Sequence, residues 1–273
     1  VQSVGPFVRA FEMRRAGITS FDQLGAYGLT LRAIELMHRM SREDFLFAQK
    51  ALQTAISRDP TTPAPHAWLA KWHILRIAVG GSDDPLRDGE AATASASRAL
   101  ECDPTDALAL AVDAHAAGWA RHDLDAAERR LSQALASNPN ESLAWLWKGI
   151  VDAWRGRGAD AVESTDRALS LSPLDPMIYY FNSLASTANL IAARYDRAIA
   201  FAQQSLRGNR LHTPSLRCLA AAQALAGRIN ESRDTVRILL TIEPNLTLSA
   251  FRARYPGRDS PQFGIFAAAL LSA

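Results

Sequence analysis

The sequence predicts an all-α fold: about six helical hairpins stacked as a solenoid and closed by a C-terminal capping helix. Three observations carry that expectation. A helix-ending phrase recurs at a fixed period, small residues recur at fixed distances ahead of it, and glycines fall where a hairpin must turn.

The phrases are Ala-Ile-Ser-Arg-Asp-Pro60, Ala-Leu-Glu-Cys-Asp-Pro104, Ala-Leu-Ala-Ser-Asn-Pro139, Ala-Leu-Ser-Leu-Ser-Pro173 and Leu-Leu-Thr-Ile-Glu-Pro244, spaced by 44, 35, 34 and 71 residues. The last interval is two periods of 34 with three extra residues, and the hidden copy is Ser-Leu-Arg-Gly-Asn-Arg210. Proline ends a helix because it lacks the N–H and restrains the residue before it. Twelve positions before each ending stand Ala48, Ala92, Ala127, Ala161, Ala198 and Ser232, and five before stand Ala55, Ala99, Ala134, Ala168, Ser205 and Leu239. Seven-residue spacing puts both on one face of a helix, where small side chains admit a neighbouring helix closely. These are the second helices of the hairpins. The first helices carry a bulky residue near a small one, as in Trp145 with Gly149, Leu69-Ala70 and Leu219-Ala220, and Gly156 and Gly227 mark turns. Gly80-Gly81-Ser82-Asp83-Asp84-Pro85 lengthens the second copy by about ten residues, as a loop between its helices. Three extra residues near Asn189 to Ala193 lengthen the fifth.

Outside the repeats, Val1 to Ala16 has amphipathic spacing through Val4, Phe7, Val8 and Phe11. Pro256 and Pro261 interrupt the tail, after which Gln262 to Ser272 reads as a short apolar helix able to cover the last hairpin. The expected organisation is an N-terminal helix and linker over 1–25, the array over 26–250 and the cap over 251–273.

A 34-residue hairpin with this small-and-bulky signature resembles the tetratricopeptide repeat (TPR). The resemblance implies a right-handed superhelix whose first helices line a concave groove. A finer likeness rests on Ala26-Tyr27-Gly28-Leu29-Thr30-Leu31-Arg32-Ala33, on the run from Arg167 through Pro173 to Pro176, and on Pro244-Asn245-Leu246-Thr247-Leu248 with Tyr255-Pro256. There the chain is similar to the C-terminal TPR region of bacterial class III adenylate/guanylate cyclases and winged-helix transcriptional regulators that carry a TolB-like domain. That likeness implies that Val1 to Ala16 is the last helix of an upstream α/β domain. The absence of an initiator Met at Val1 agrees with that expectation.

Composition narrows the function. Lys and Arg number 30 against 28 Asp and Glu, so a net charge of +2 supplies no general attraction for nucleic acid or anionic lipid. No apolar run approaches the roughly 20 residues that span a bilayer. Two cysteines, Cys102 and Cys218, make no disulfide framework and fit a reducing, cytoplasmic setting. Catalysis needs a nucleophile, a base and an orienting group together, or metal ligands at set spacing, and no such constellation is present. His66 with His73 and His115 with His122 are each seven apart without a completing carboxylate or thiol, and Gly156-Arg157-Gly158 lacks the strand and Lys of a phosphate loop. The chain is expected to be non-catalytic and to need no cofactor or metal.

The groove implied by the resemblance is the candidate site. Its inner positions give Leu108, Ala111, His115 and Trp119 in the third copy, Leu143, Leu146, Ile150 and Trp154 in the fourth, and Met177, Tyr180, Leu184 and Ala188 in the fifth. Lys71 takes an inner position of the second copy and Arg217 one of the sixth, and Trp147 stands beside Leu146. Aromatic rows at helical spacing serve packing as well as binding, and both readings stand here. The carboxylate clamp of chaperone-binding TPR proteins needs Lys and Asn at repeated inner positions; only Lys71 and the out-of-register Asn182 are available, which disfavours capture of an acidic tail. The expected partner is a protein or peptide segment, a neighbouring domain of the same polypeptide, or a second copy of the chain. The expected role is interaction or regulation within a signalling protein, and the alternative is a sensor holding a small apolar ligand near Trp119, Trp154 and Tyr180. An open groove would favour the first and a closed pocket the second.

Overall fold

The computed structural model describes residues 4–39 and 41–272, with side chains from residue 11 onward. In chain order the helices are α1 (Val4–Ile18), α2 (Ala26–Arg39), α3 (Arg42–Arg58), α4 (Pro63–Ala78), α5 (Pro85–Cys102), α6 (Ala107–Arg121), α7 (Leu124–Ser137), α8 (Ser142–Trp154), α9 (Gly158–Leu171), α10 (Ile178–Ile191), α11 (Tyr195–Gly208), α12 (Thr213–Leu225), α13 (Ile229–Ile242), α14 (Leu248–Arg254) and α15 (Pro261–Leu271). A short 3-10 turn, Phe21–Gln23, precedes α2, and no strand occurs among the described residues. Helices α2 to α13 pair as six hairpins at the positions the period predicts. The chain divides into two units: Val1–Ile77 with Ser82–Ala144 and Leu171–Met177, and Ala78–Gly81 with Trp145–Ser170 and Ile178–Ala273.

The small residues sit where the spacing places them. Ala48, Ala92, Ala127, Ala161, Ala198 and Ser232 are wholly buried, and so are Ala55, Ala99, Ala134, Ala168 and Ser205, with Leu239 at 1 % exposure. Where a serine replaces alanine, its hydroxyl is used. Ser232 Oγ donates to Ala220 O at 2.7 Å, and Ser205 Oγ meets Ser215 Oγ at 2.8 Å.

Each first helix of the last four hairpins ends on one left-handed residue: His122 (φ 52°), Gly156 (φ 78°), Ala193 (φ 57°) and Gly227 (φ 77°). The following amide closes back on the helix, Asp123 N to Ala117 O at 3.0 Å and Arg157 N to Asp152 O, Arg194 N to Asn189 O and Arg228 N to Gln223 O at 2.8 Å each. The last three are the Schellman closure, which satisfies carbonyls the helix leaves open, and α6 closes one residue wider. Glycine occupies only two of the four positions.

The hairpins are joined by a second device. Asp59 Oδ1 accepts from Thr61 N at 3.2 Å, Asp103 Oδ1 from Thr105 N at 2.8 Å, Asn138 Oδ1 from Asn140 N at 3.1 Å and Asn209 Oδ1 from Leu211 N at 3.0 Å. These Asx turns explain the Asp or Asn that precedes Pro60, Pro104 and Pro139, and Asn209 keeps the turn where proline has become Arg210. Hydrogen bonds from the neighbouring threonines hold the Asp59 carboxyl below its ordinary pKa, and backbone and side-chain bonds from Thr105 do the same for Asp103.

The predicted loop of the second copy is ordered from α5. Asp84 caps that helix through Arg87 N at 3.0 Å, and the buried Asp88 takes His73 Nδ1 at 2.7 Å, Arg76 Nη1 at 3.1 Å and the Ser82 hydroxyl. Desolvation lowers the His73 pKa even though Asp88 opposes it. At the N-terminus α1 packs on α2 and buries Met13 and Ala16, while Phe11 is exposed; the side chains of Val4, Phe7 and Val8 lie outside the described ones.

Candidate functional site

In the first unit, three of the predicted residues form a linear array. Lys71 is buried on α4 and His115 on α6, and Trp119, one turn beyond His115, is half-buried. Trp119 Nε1–H can only donate, and it donates to His115 Nε2 at 3.0 Å. The other ring nitrogen, His115 Nδ1, lies 3.3 Å from Lys71 Nζ. Desolvation holds Lys71 well below the ordinary lysine value, and desolvation first and the Lys71 charge second hold His115 well below the ordinary histidine value. His66 and His73, also noted in the sequence, separate in use: His66 Nε2 meets Pro60 O at 3.1 Å, and His73 pairs with Asp88.

In the second unit the inner residues are closed off. Leu146, Trp147, Ile150, Trp154, Tyr180 and Arg217 are all buried, none more than 4 % exposed, and only Leu184 is half-buried. Trp147 Nε1 donates to Tyr180 Oη at 3.1 Å, and Tyr180 stands edge-on to His212, so residues one repeat apart link α8, α10 and the start of α12. Burial raises the Tyr180 phenol above its ordinary pKa although the Trp147 bond opposes this.

Arg217 is an anchor. Its Nη1 donates to Glu243 Oε2 at 2.7 Å and its Nη2 to Ala78 O at 2.9 Å, while the guanidinium lies 5.1 Å over the Phe251 ring. Arg254 completes the cluster on the other Glu243 oxygen. Burial lowers the Arg217 pKa to about 10, although the Glu243 carboxylate opposes this.

The chain's own C-terminal segment accounts for much of this closure. Phe251, Tyr255, Phe263 and Phe266 form one aromatic cluster, with Tyr255 and Phe263 stacked at 4.9 Å, and α15 packs on α12. A side chain on Gly257 would meet the Trp154 backbone at 2.8 Å, and one on Gly156 would meet Gln262. The expectation that Trp154 and Tyr180 line an accessible groove is therefore not met: packing covers them, and in the case of Trp154 the cover is the tail. The sequence reading also missed Glu243, Arg254, Tyr255 and Phe263. Glu243 lies within a repeat-ending phrase and Tyr255-Pro256 was noted as a motif, but neither signals a buried ion cluster or an aromatic seat.

No protein-family model matches the sequence, and no curated protein matches it. Solved structures do resemble the chain. A thermophilic TPR protein from Thermus thermophilus is 20% identical with a TM-score of 0.50, over 66% of this chain and 91% of that one. PilW, a type IV pilus biogenesis factor, is 21% identical with a TM-score of 0.52, over 76% and 87%. The APC/C hetero-tetramer Cut9-Hcn1 gives a TM-score of 0.61 at 14% identity, over 90% of this chain and 43% of that one. The class is thereby fixed at the level of fold: an all-α chain of tandem TPR-like helical hairpins. Among the described residues no helix is long and apolar enough to cross a membrane.

Proposed function

We propose that the chain is a non-catalytic interaction module, built from a repeat array over 26–250 and a cap over 251–273, that binds a protein segment through its first helices and regulates an attached output domain. The observation that carries this reading is the seating of residues 255–262 against Trp154 and the α8–α9 turn: the face already accommodates a turning, proline-bounded polypeptide segment. The finer reading is that residues 1–25 continue an upstream domain of a cytoplasmic bacterial nucleotide cyclase or winged-helix regulator, as the sequence resemblance implies. Reading the coding sequence upstream of Val1 tests the finer part, because a different output domain there removes it. Adding the purified chain to the isolated output domain tests the module. A change in output rate or operator binding is expected, and no change at saturating concentration overturns the reading.

A further inference from the structure

The hairpin α6–α7 carries a cleft of about 330 Å³ lined by Asp113, Arg121, Ala126, Arg129, Arg130 and Gln133. Its one acid, Asp113, is buried at 5 % exposure. Asp113 Oδ2 accepts from Arg130 Nε at 2.8 Å, and its Oδ1 lies 3.8 Å from Arg121 Nη2. Each of these guanidiniums is held a second time: Arg130 Nη1 donates to Gln133 Oε1 at 3.1 Å, and Arg121 Nη1 to Thr93 Oγ1 at 3.2 Å. A guanidinium has five N–H donors, so both keep several for a ligand in the cleft they line. Arg129 is exposed and makes no ion pair or hydrogen bond among the described residues. The neighbouring carboxylates Asp123, Asp125 and Glu128 do not line the cleft, and Asp123 is engaged at the start of α7 with Ala126 N at 2.8 Å. Three guanidiniums against one carboxylate leave two positive charges in the cleft unmatched.

We propose that this cleft binds a phosphate monoester, with Arg129 and Arg130 on the phosphate oxygens and Arg121 beside them. Two unmatched charges select a dianion over a monoanion. A phosphate monoester carries about −1.5 to −2 charges at pH 7 and three strong acceptor oxygens, whereas a carboxylate or a phosphodiester brings a single charge. Arginine is the side chain whose planar fork matches phosphate, and three of them converge here. Asp113 is a positioning residue: by holding Arg130 and Arg121 before a ligand arrives, it reduces the side-chain freedom lost on binding. The phosphate is carried by a phosphorylated serine or threonine of a partner polypeptide or by a small phosphorylated metabolite, and the group recognised is the same in both. None of the lining residues is among the inner-face positions, so the site is independent of the interaction-module reading.

Isothermal titration of the full chain tests this with O-phospho-L-serine, a short phosphoserine peptide, its unphosphorylated twin and dimethyl phosphate. Phosphoserine is expected to bind, and the singly charged dimethyl phosphate to bind about tenfold more weakly. Arg129→Gln removes a side chain on which no contact of the fold depends, so it is expected to weaken phosphoserine binding about tenfold with an unchanged thermal melt. Arg130→Lys keeps the charge but loses the fork, and is expected to weaken binding by about the same factor. A phosphopeptide that binds more tightly than phosphoserine supports the site and assigns the phosphate to a partner polypeptide; the reverse order supports it and assigns the phosphate to a metabolite. Failure of both phosphorylated ligands to bind overturns the proposal. Equal binding of dimethyl phosphate or of the unphosphorylated twin overturns it as well, and so does full affinity in Arg129→Gln. Should Arg130→Lys fail to fold, Arg129→Gln and the ligand series decide alone.

Discussion

Lys71 Nζ and His115 Nδ1 lie 3.3 Å apart in a buried contact, with the Trp119 donor on the far side of the imidazole. Burial there holds the folded-state lysine well below the pKa it has in the unfolded chain.

That difference makes a pH prediction. The folded-state pKa of Lys71 lies below its unfolded value, so between the two the unfolded chain holds a proton the folded chain lacks, and stability rises with pH. Above the unfolded value both states are neutral and the penalty is gone. Burial raises the Cys218 thiol to about 11, which acts in the opposite sense at high pH. Below the ordinary lysine value, Lys71→Met should flatten the rise of stability with pH, by at most about 1.4 kcal/mol per pH unit. Urea melts over that range read the slope. An unchanged slope throughout it would mean that burial does not depress Lys71.

Ala168 has no exposed surface on α9, at a position where every hairpin carries a small residue or Leu239. Ala168→Leu should overpack the interface and lower stability by about 1–3 kcal/mol. Thermal melts decide it, and an unshifted melt would place the helix contact elsewhere.

The four left-handed turns offer a paired test. Ala193 carries a Cβ at φ 57°, so Ala193→Gly should stabilise by about 0.5–1 kcal/mol. Gly227 has φ 77° and open space around it, so Gly227→Ala should cost about 1 kcal/mol from the backbone alone. Opposite signs at equivalent positions are the signature sought in denaturant midpoints.

The repeat array was legible in the sequence because its signals are local: an Asx side chain, a proline or both at each hairpin junction, and two small residues seven apart on a helix face. The turns were half legible, since Gly156 and Gly227 announce a positive φ and His122 and Ala193 do not. Trp147 and Tyr180 were singled out one by one, yet their hydrogen bond spans 33 residues, close to one period, and was within reach of the same arithmetic. What could not be read was the cover over the inner face. Arg217 finds an acceptor 139 residues away at Ala78, and the tail reaches Trp154 through a glycine contact; neither follows from any periodicity.

Burial of Trp154 and Tyr180 changes what their removal should do. Trp154→Ala with Tyr180→Ala should destabilise the second unit before it affects any interaction, each truncation costing about 3–5 kcal/mol for a fully buried ring. Melting temperature and peptide binding measured on one preparation separate the two effects. A double variant that melts like the parent would show both rings to be peripheral to the core.

Cys102 is half-buried, with its thiol on Pro60 O at 3.5 Å, while Cys218 is buried beside Ser186 Oγ at 2.9 Å. Native iodoacetamide treatment should therefore add one label, at Cys102, with a second appearing only on unfolding; mass spectrometry of the intact chain counts them. Two labels at equal rates would mean that α12 opens freely.

The carbonyl of Ala78 belongs with α12 and α14 rather than with the helix it ends, which bears on how this polypeptide can be dissected. No single cleavage separates its two units, because the second takes four residues from between stretches of the first. A C-terminal fragment begun near residue 145 would keep Arg217 but forfeit the main-chain oxygen that completes its coordination. Such a fragment would report Arg217 with Glu243 but without its main-chain acceptor, and inserting a tag or protease site at Gly80, which lies against Arg254 and Glu243, would disturb residues far along the chain.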